Sequence, residues 1–244
     1  MCPEGMARIA VFHSEPLSTA VTPPCGPAGC WAWSGAGATR TLLGAGGRFT
    51  VHRPAPAAEG HALAELAIGG SETVREGVEV GWRVSPAIEG DDRPHLFVHR
   101  WRGGAPCWTD CGFVPWSARW APGDSLESLE GQELAMGMAL SEGRWWVWFD
   151  GEWLGFFDAA EGPVPGGSAQ WFGEVFSPGP IARGEMGNGK PGTEGDAARI
   201  AGMCQVLAGT WTCTPSASLF PVVSEPGRYP VRLNGDELRY GGTR

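Results

Sequence analysis

Two glutamates of this 244-residue chain lie inside apolar, strand-like stretches, although most of its 27 acidic residues fall in turns and loops. Glu79 lies within residues 78–84, where apolar and polar side chains alternate, and Glu174 lies within the apolar stretch 169–176. Two carboxyls that come close enough to couple share protons, so that one is neutral and one ionised over some pH range. Such a pair can activate a water molecule and protonate a leaving group, which is the chemistry of a hydrolase.

Residues that share a strand face with the two glutamates are the next candidates, because positions i, i+2 and i+4 of a strand point to one side. Arg83 shares the face of Glu79 and is either a contact for substrate or carboxylate, or a solvent-facing strand arginine. Gln170 shares the face of Glu174 and is predicted to orient water or to stabilise an oxyanion. Trp171, one of 13 tryptophans, is assigned to substrate binding, because aromatic side chains often line grooves for chain-like ligands.

These residue patterns leave three functions open. A peptidase and a glycoside hydrolase can both use two glutamates in a groove lined by tryptophan. The two carboxyls of a glycoside hydrolase lie about 5–5.5 Å apart in retaining enzymes and about 6.5–9.5 Å apart in inverting enzymes. The third function is that of a lectin-like or structural sandwich without catalysis. If the carboxyls of Glu79 and Glu174 face one groove, the chain is expected to be an enzyme; if they face opposite sides, it is expected to be a binding module.

Other chemistries lack their sequence signatures. There is no Gly-x-Ser-x-Gly nucleophile elbow, no His-Glu-x-x-His zinc motif and no phosphate-binding glycine loop, so neither a metal nor a cofactor is predicted. The net charge is −9 and Lys190 is the single lysine, which argues against nucleic acid as a partner. The sequence contains no run of 18 apolar residues, so no membrane-spanning helix is predicted. We expect the protein to be a monomer.

Turn and strand signals alternate along most of the chain and predict an all-β fold, an antiparallel sandwich or barrel. Asp150-Gly151 lies between two apolar stretches and predicts a tight β-hairpin, as does Asn234-Gly235 near the C-terminus. Residues 61–68 fit either a strand or a helix by propensity. Residues 1–48 are rich in Pro, Gly, Ala and Cys and show little alternation, so they are assigned to an N-terminal extension or residual pro-segment.

Seven cysteines indicate disulfide bonds rather than a zinc site, because the Cys-x-x-Cys spacing of zinc ribbons is absent. Proximity in sequence suggests three pairs and leaves Cys2 over: Cys25 with Cys30, Cys107 with Cys111, and Cys204 with Cys213. Disulfides are typical of secreted proteins, so an extracellular location is expected, although no signal peptide is visible in this sequence. A cytoplasmic location is the alternative.

Several segments occur in the order of the motifs of the neprosin family. Gln170–Val175 is similar to the family motif Gln-Trp-Gly-Gly-Glu-Val, except that Phe172 replaces the first of its glycines and is expected to narrow the cleft. The segments that carry the resemblance are Glu79–Pro86 with Gly90-Asp91, Cys107–Val114, Trp145–Phe157, Gln170–Val175, Glu185–Gly189 and Tyr240–Gly242.

The resemblance to the neprosin family implies a glutamic endopeptidase with a curved antiparallel β-sandwich of two facing sheets, formed by residues 49–244. The two catalytic glutamates of the family fall on Glu79 and Glu174, the pair that strand position had already singled out. The resemblance also implies proline-containing peptides or proteins as substrates, cleaved after proline at acid pH. The roles of the two glutamates as acid and base stay open.

Overall fold

The computed structural model describes residues 25–26, 29–39, 43–69, 76–102, 105–107, 109–159, 167–207, 210–213 and 219–243. Strands dominate these residues and form two antiparallel sheets, which we call sheet 1 and sheet 2. The helical elements of the described residues are short: a turn of α-helix, α1 (Pro86–Glu89), and a 3₁₀ turn at Glu127–Leu129. None of the described helices is long and apolar enough to cross a membrane.

Sheet 1 carries both predicted catalytic glutamates. Its strands, in spatial order, are β1 (Cys25–Gly26), β2 (Gly29–Thr39), β12 (Ser168–Ser177), β4 (His61–Gly69), β5 (Glu76–Val84), β6 (His95–Arg102) and β7 (Ala105–Pro106), and β15 (Phe220–Val223) also pairs with β2. The central strand β4 therefore lies between β12, which carries Glu174, and β5, which carries Glu79.

Sheet 2 covers the other face of sheet 1. Its strands, in spatial order, are β16 (Arg232–Asn234), β17 (Glu237–Tyr240), β13 (Ala198–Leu207), β3 (Gly44–Thr50), β9 (Glu133–Ser141), β10 (Arg144–Phe149), β11 (Glu152–Asp158) and β8 (Val114–Pro115), and β14 (Thr210–Cys213) pairs with β13. The predicted fold class, an all-β antiparallel sandwich of two facing sheets, is confirmed.

A single large core fills the space between the two sheets. Trp82 of β5, Trp171 of β12, and Phe49 and Trp145 of sheet 2 are buried within it. Burial of side chains of this size stabilises the fold by roughly 1.5–3 kcal/mol each. Because side chains alternate along a strand, every second residue of β5 is committed to this core, and the residues between them face the other side of sheet 1.

Both predicted hairpins are present. The loop between β10 and β11 consists of Asp150 and Gly151, whose positive φ values of 40° and 93° fit the type I′ turn that the sequence indicated. The loop between β16 and β17 begins at Gly235, with φ of 63°. The ambiguous stretch 61–68 is strand β4, so its helical alternative is wrong.

The sandwich begins earlier in the chain than predicted. The proposed boundary at residue 48 is wrong, because β2 is an inner strand of sheet 1 and β3 an inner strand of sheet 2. The small residues that suggested an extension allow close packing: a Cβ on Gly35 would lie 2.3 Å from the Cβ of Phe172. The assignment of residues 1–24 to a pro-segment lies outside the described residues and stays a prediction.

Two of the three predicted disulfides are present, Cys25–Cys30 and Cys107–Cys111. The first joins β1 to β2, and the second closes a short loop after β7. The backbone register places Cys204 opposite Cys213 on neighbouring strands, as the third predicted pair requires. The side chain of Cys213 and the whole of Cys2 lie outside the part of the chain that the structure describes.

Candidate active site

A cavity of about 650 Å³ opens on the face of sheet 1 that points away from the core. Glu79 and Glu174 both line it, together with Gln170 and Arg83, so four of the five predicted site residues come together. The lining also includes a third carboxyl, that of Glu65 on β4. Because Glu79 and Glu174 face the same cavity, the arrangement is that expected of an enzyme rather than of a binding module with unpaired glutamates.

The register of three adjacent strands places the three glutamates on one diagonal. Glu79 of β5 lies opposite Ala67 of β4, and Glu174 of β12 lies opposite Leu63. Glu65 is midway between these two positions. Each outer glutamate is therefore displaced from Glu65 by two residues along the strand, about 7 Å, and by one strand spacing, about 5 Å.

The other diagonal of the same lattice carries two hydrogen-bond donors. Gln170 is level with Ala67, in the same row as Glu79, whereas Arg83 is level with Leu63, in the same row as Glu174. Glu65 thus lies where a line of carboxyls crosses a line that joins an amide to a guanidinium. This arrangement can surround a polar substrate group with acceptors on one axis and donors on the other.

The carboxylate of Glu79 is bound by two neighbours on β6. The indole Nε1 of Trp101 donates a hydrogen bond of 2.7 Å to Oε1, and the Nδ1 atom of His99 lies 3.1 Å from Oε2. His99 is directly opposite Glu79 across the β5–β6 pair, and its ring lies against that of Trp101 with centroids 5.0 Å apart. These contacts fix the orientation of the carboxylate and leave its side chain 14% exposed to the cavity.

Glu174 has a similar partner on β4. The Nε2 atom of His61 lies 3.0 Å from Oε1 of Glu174, and the imidazole is stacked on the ring of Phe176, with centroids 5.5 Å apart. Sequence reasoning did not assign a site role to His61 or to His99. The alternation of side chains along β4 indicates that His61 lies on the same face as Glu65. Only the pairing of strands, however, shows which glutamate each histidine contacts.

Glu65 is the most deeply buried carboxyl of the site, with 3% of its surface exposed. Burial raises the pKa of Glu65 well above its ordinary value, and the negative charges of Glu79 and Glu174 raise it further. Arg83 lowers the pKa of Glu65, but by less than these effects. Sequence reasoning missed Glu65 because the stretch around it fitted a helix as well as a strand.

Arg83 is a buried, anchored residue. Its side chain is 7% exposed, forms an ion pair with Glu89 of α1, and lies over the ring of Phe97 at 5.5 Å from the centroid. The alternative of a solvent-facing strand arginine is therefore wrong. The guanidinium lines the cavity as a fixed positive group whose position is determined by α1 and β6.

Trp171 does not line the cavity, so its assignment to substrate binding is wrong. It is adjacent to Gln170 and hence points to the opposite face of β12, where it is fully buried. Its Nε1 atom donates a hydrogen bond of 3.1 Å to the carbonyl of Gly46 in sheet 2. Among the described residues, the tryptophans that do line the cavity are Trp31, Trp33 and Trp101.

The fold of the chain is similar to the folds of two solved peptidases. Scytalido-glutamic peptidase, solved with a peptide-based transition-state analogue, has a TM-score of 0.57 at 12% identity, covering 87% of this chain and 98% of that one. SCP-B, a member of the eqolisin family of peptidases in a complex with the tripeptide Ala-Ile-His, has a TM-score of 0.56 at 11% identity, with the same coverage. No curated protein sequence matches the chain.

The family follows from the sequence itself. The Neprosin family model matches residues 59–243, and the chain belongs to the Neprosin family. This membership confirms the resemblance that the motifs indicated. Together with the shared fold, it supports the predicted enzyme class, a glutamic peptidase.

Proposed function

We propose that this chain is a glutamic endopeptidase that hydrolyses peptide bonds in the cavity of sheet 1, with Glu79 and Glu174 as catalytic carboxyls. The observation that supports this most strongly is that both glutamates line one cavity, each held there by a histidine. Membership of the Neprosin family and a fold similar to those of a glutamic peptidase and an eqolisin peptidase favour peptide over glycan as the substrate.

Hydrolysis requires one ionised and one neutral carboxyl in the cavity. The ionised group accepts a proton from water, whose oxygen then attacks the scissile carbonyl carbon. The neutral group hydrogen-bonds to the carbonyl oxygen and later protonates the leaving nitrogen. Gln170 and Arg83, on the donor diagonal, are the proposed groups that stabilise the negative charge developing on that oxygen.

The proposed substrate preference is for peptides that contain proline, cleaved on its carboxyl side. Aromatic side chains form much of the cavity wall and offer flat apolar surfaces to a pyrrolidine ring: Trp31, Trp33, Phe97, Trp101 and Phe172. The proposed optimum is at acid pH, because carboxyl chemistry needs one group protonated. The two disulfides support an extracellular location, where an oxidising environment preserves them.

A digestion experiment tests the proposal. The purified chain is incubated with a defined peptide mixture at pH 3–5 and at pH 7, and the products are identified by mass spectrometry. A panel of polysaccharides is incubated in parallel. Cleavage of peptides after proline at acid pH is the expected result. Hydrolysis of a polysaccharide without cleavage of peptides would assign the two glutamates to a glycoside hydrolase, and no hydrolysis of either would contradict an enzymatic function.

A further inference from the structure

The position of Glu65 sets it apart from the two glutamates that the proposed function uses. It lies at the centre of the lattice formed by β12, β4 and β5, opposite Phe172 on one side and Gly81 on the other. A Cβ on Gly81 would lie 2.1 Å from the carbonyl oxygen of Ala64, so glycine here lets β5 approach the backbone of β4 closely. Glu65 is thereby enclosed at the floor of the cavity while its side chain still contributes to the lining.

The surroundings of the three carboxyls differ in one respect. Glu79 and Glu174 each have a histidine nitrogen within hydrogen-bond distance, and Glu79 also accepts a hydrogen bond from Trp101. The groups that shift the pKa of Glu65 act on it through burial and charge, and none of them is a hydrogen-bond donor to its carboxyl among the described residues. A buried carboxyl flanked by two negative charges is stabilised in its neutral form.

The three carboxyls are also not arranged as a metal site. Among the residues that the structure describes, no three histidine, cysteine or carboxylate side chains are placed to bind one metal ion. The cluster consists of one buried carboxyl, that of Glu65, between two carboxyls that each lie beside a histidine.

We propose that Glu65 is a third catalytic carboxyl, the neutral proton donor of the site, and that Glu79 and Glu174 are the ionised pair from which the base is drawn. This inference rests on the proposed function and deepens it, since it moves the role of proton donor from the pair Glu79 and Glu174 to Glu65. In the reaction, a carboxylate takes one proton from water as the water oxygen bonds to the carbonyl carbon. Glu65 then gives its proton to the amide nitrogen as the carbon–nitrogen bond breaks, and the proton held by the base returns Glu65 to its neutral form.

The first test is kinetic and uses Glu65→Gln, whose amide keeps the size of the carboxyl but cannot release a proton. General acid catalysis contributes about 10²–10⁴-fold, so kcat for peptide hydrolysis is expected to fall by that factor with KM little changed. The alkaline limb of the wild-type pH profile, where Glu65 loses its proton, is expected to disappear in the variant. Glu130→Gln, at an exposed turn outside the cavity, is the matched control.

Wild-type kcat and an unchanged alkaline limb in a folded Glu65→Gln protein would overturn the proposal and assign Glu65 a structural role. This result differs from a failure of the proposed function, in which the wild-type protein itself would cleave no peptide. In that case, and in the case that Glu65→Gln does not fold, the protonation state is measured directly.

The direct measurement is a pH titration of wild-type protein carrying ¹³C at the δ carbon of glutamate, followed by NMR. One glutamate signal is expected to titrate at a higher pH than an ordinary glutamate, whose pKa is about 4.3. Loss of that signal in folded Glu65→Gln, or in Glu65→Asp where the Gln variant does not fold, would assign it to Glu65. If every glutamate signal of the wild type titrates in the ordinary range, Glu65 is not the proton donor.

Discussion

The imidazole of His52 should make the fold less stable in acid. His52 follows β3 and lies edge-on to the core residue Trp82, with ring centroids 6.4 Å apart. Its Nε2 atom is buried and has no hydrogen-bond partner among the described residues. Burial lowers the pKa of His52 to about 4 from its ordinary value of 6.5, because the protonated ring loses its hydration inside the protein.

The direction of the effect follows from proton uptake on unfolding. Between pH 6.5 and pH 4 the unfolded chain binds a proton at His52 that the folded chain does not, so the free energy of unfolding falls as the pH falls through this window. A shift of this size corresponds to about 3 kcal/mol of stability, present above pH 6.5 and largely lost at pH 4.

The assay compares wild type with His52→Gln by denaturant unfolding at pH 7 and at pH 4. Other groups titrate over the same range, so the quantity of interest is the difference in unfolding free energy between the two proteins at each pH. That difference is expected to move by about 3 kcal/mol in favour of the variant on going from pH 7 to pH 4. An equal difference at both pH values would refute the reasoning, because it would show that His52 is accessible to protons in the folded state.

Three further substitutions test the packing and the shape of the site. In Gly173→Ala the new Cβ would lie 2.3 Å from the buried ring of Tyr240, so the free energy of unfolding in denaturant should fall by about 1–3 kcal/mol, and unchanged stability would contradict this packing. Phe172→Gly should widen the cavity and admit bulkier residues beside the scissile bond, as mass spectrometry of peptide products would show; an unaltered cleavage pattern would exclude Phe172 from specificity. Trp171→Phe removes the hydrogen bond to Gly46 and should cost about 1–3 kcal/mol in thermal unfolding without a specific change in KM, whereas a raised KM at unchanged stability would restore Trp171 to the substrate site.

Local patterns in the sequence were sufficient to predict an all-β antiparallel fold and to select Glu79 and Glu174 as candidate site residues. Strand alternation determines which side chains share a face, and a glutamate inside an apolar strand is visible without a structure. The same rule, applied to neighbouring residues, would have corrected Trp171, because it and Gln170 must point to opposite faces of β12. Chemical type suggested a binding role for this tryptophan, but strand parity assigns it to the core.

The remaining features depend on contacts between distant parts of the chain. Glu65 and Glu174 meet because β12 pairs with β4 across more than a hundred residues, and no local pattern specifies that register. The same holds for the histidines that contact Glu79 and Glu174. Strand β2 was missed for another reason: its glycines and alanines are required by the close approach of its neighbours, and such small residues produce no alternation in the sequence.

The central claim is that Glu79 and Glu174 carry out peptide hydrolysis, and its most direct test is the activity of single Glu→Gln variants of each. The measurement is kcat/KM for a proline-containing peptide at acid pH, with Glu130→Gln as the control and a thermal unfolding curve for each protein. Both site variants are expected to lose about 10²–10⁴-fold in kcat/KM, whereas the control keeps wild-type activity. A folded Glu174→Gln protein that hydrolyses the peptide at the wild-type rate would contradict the assignment.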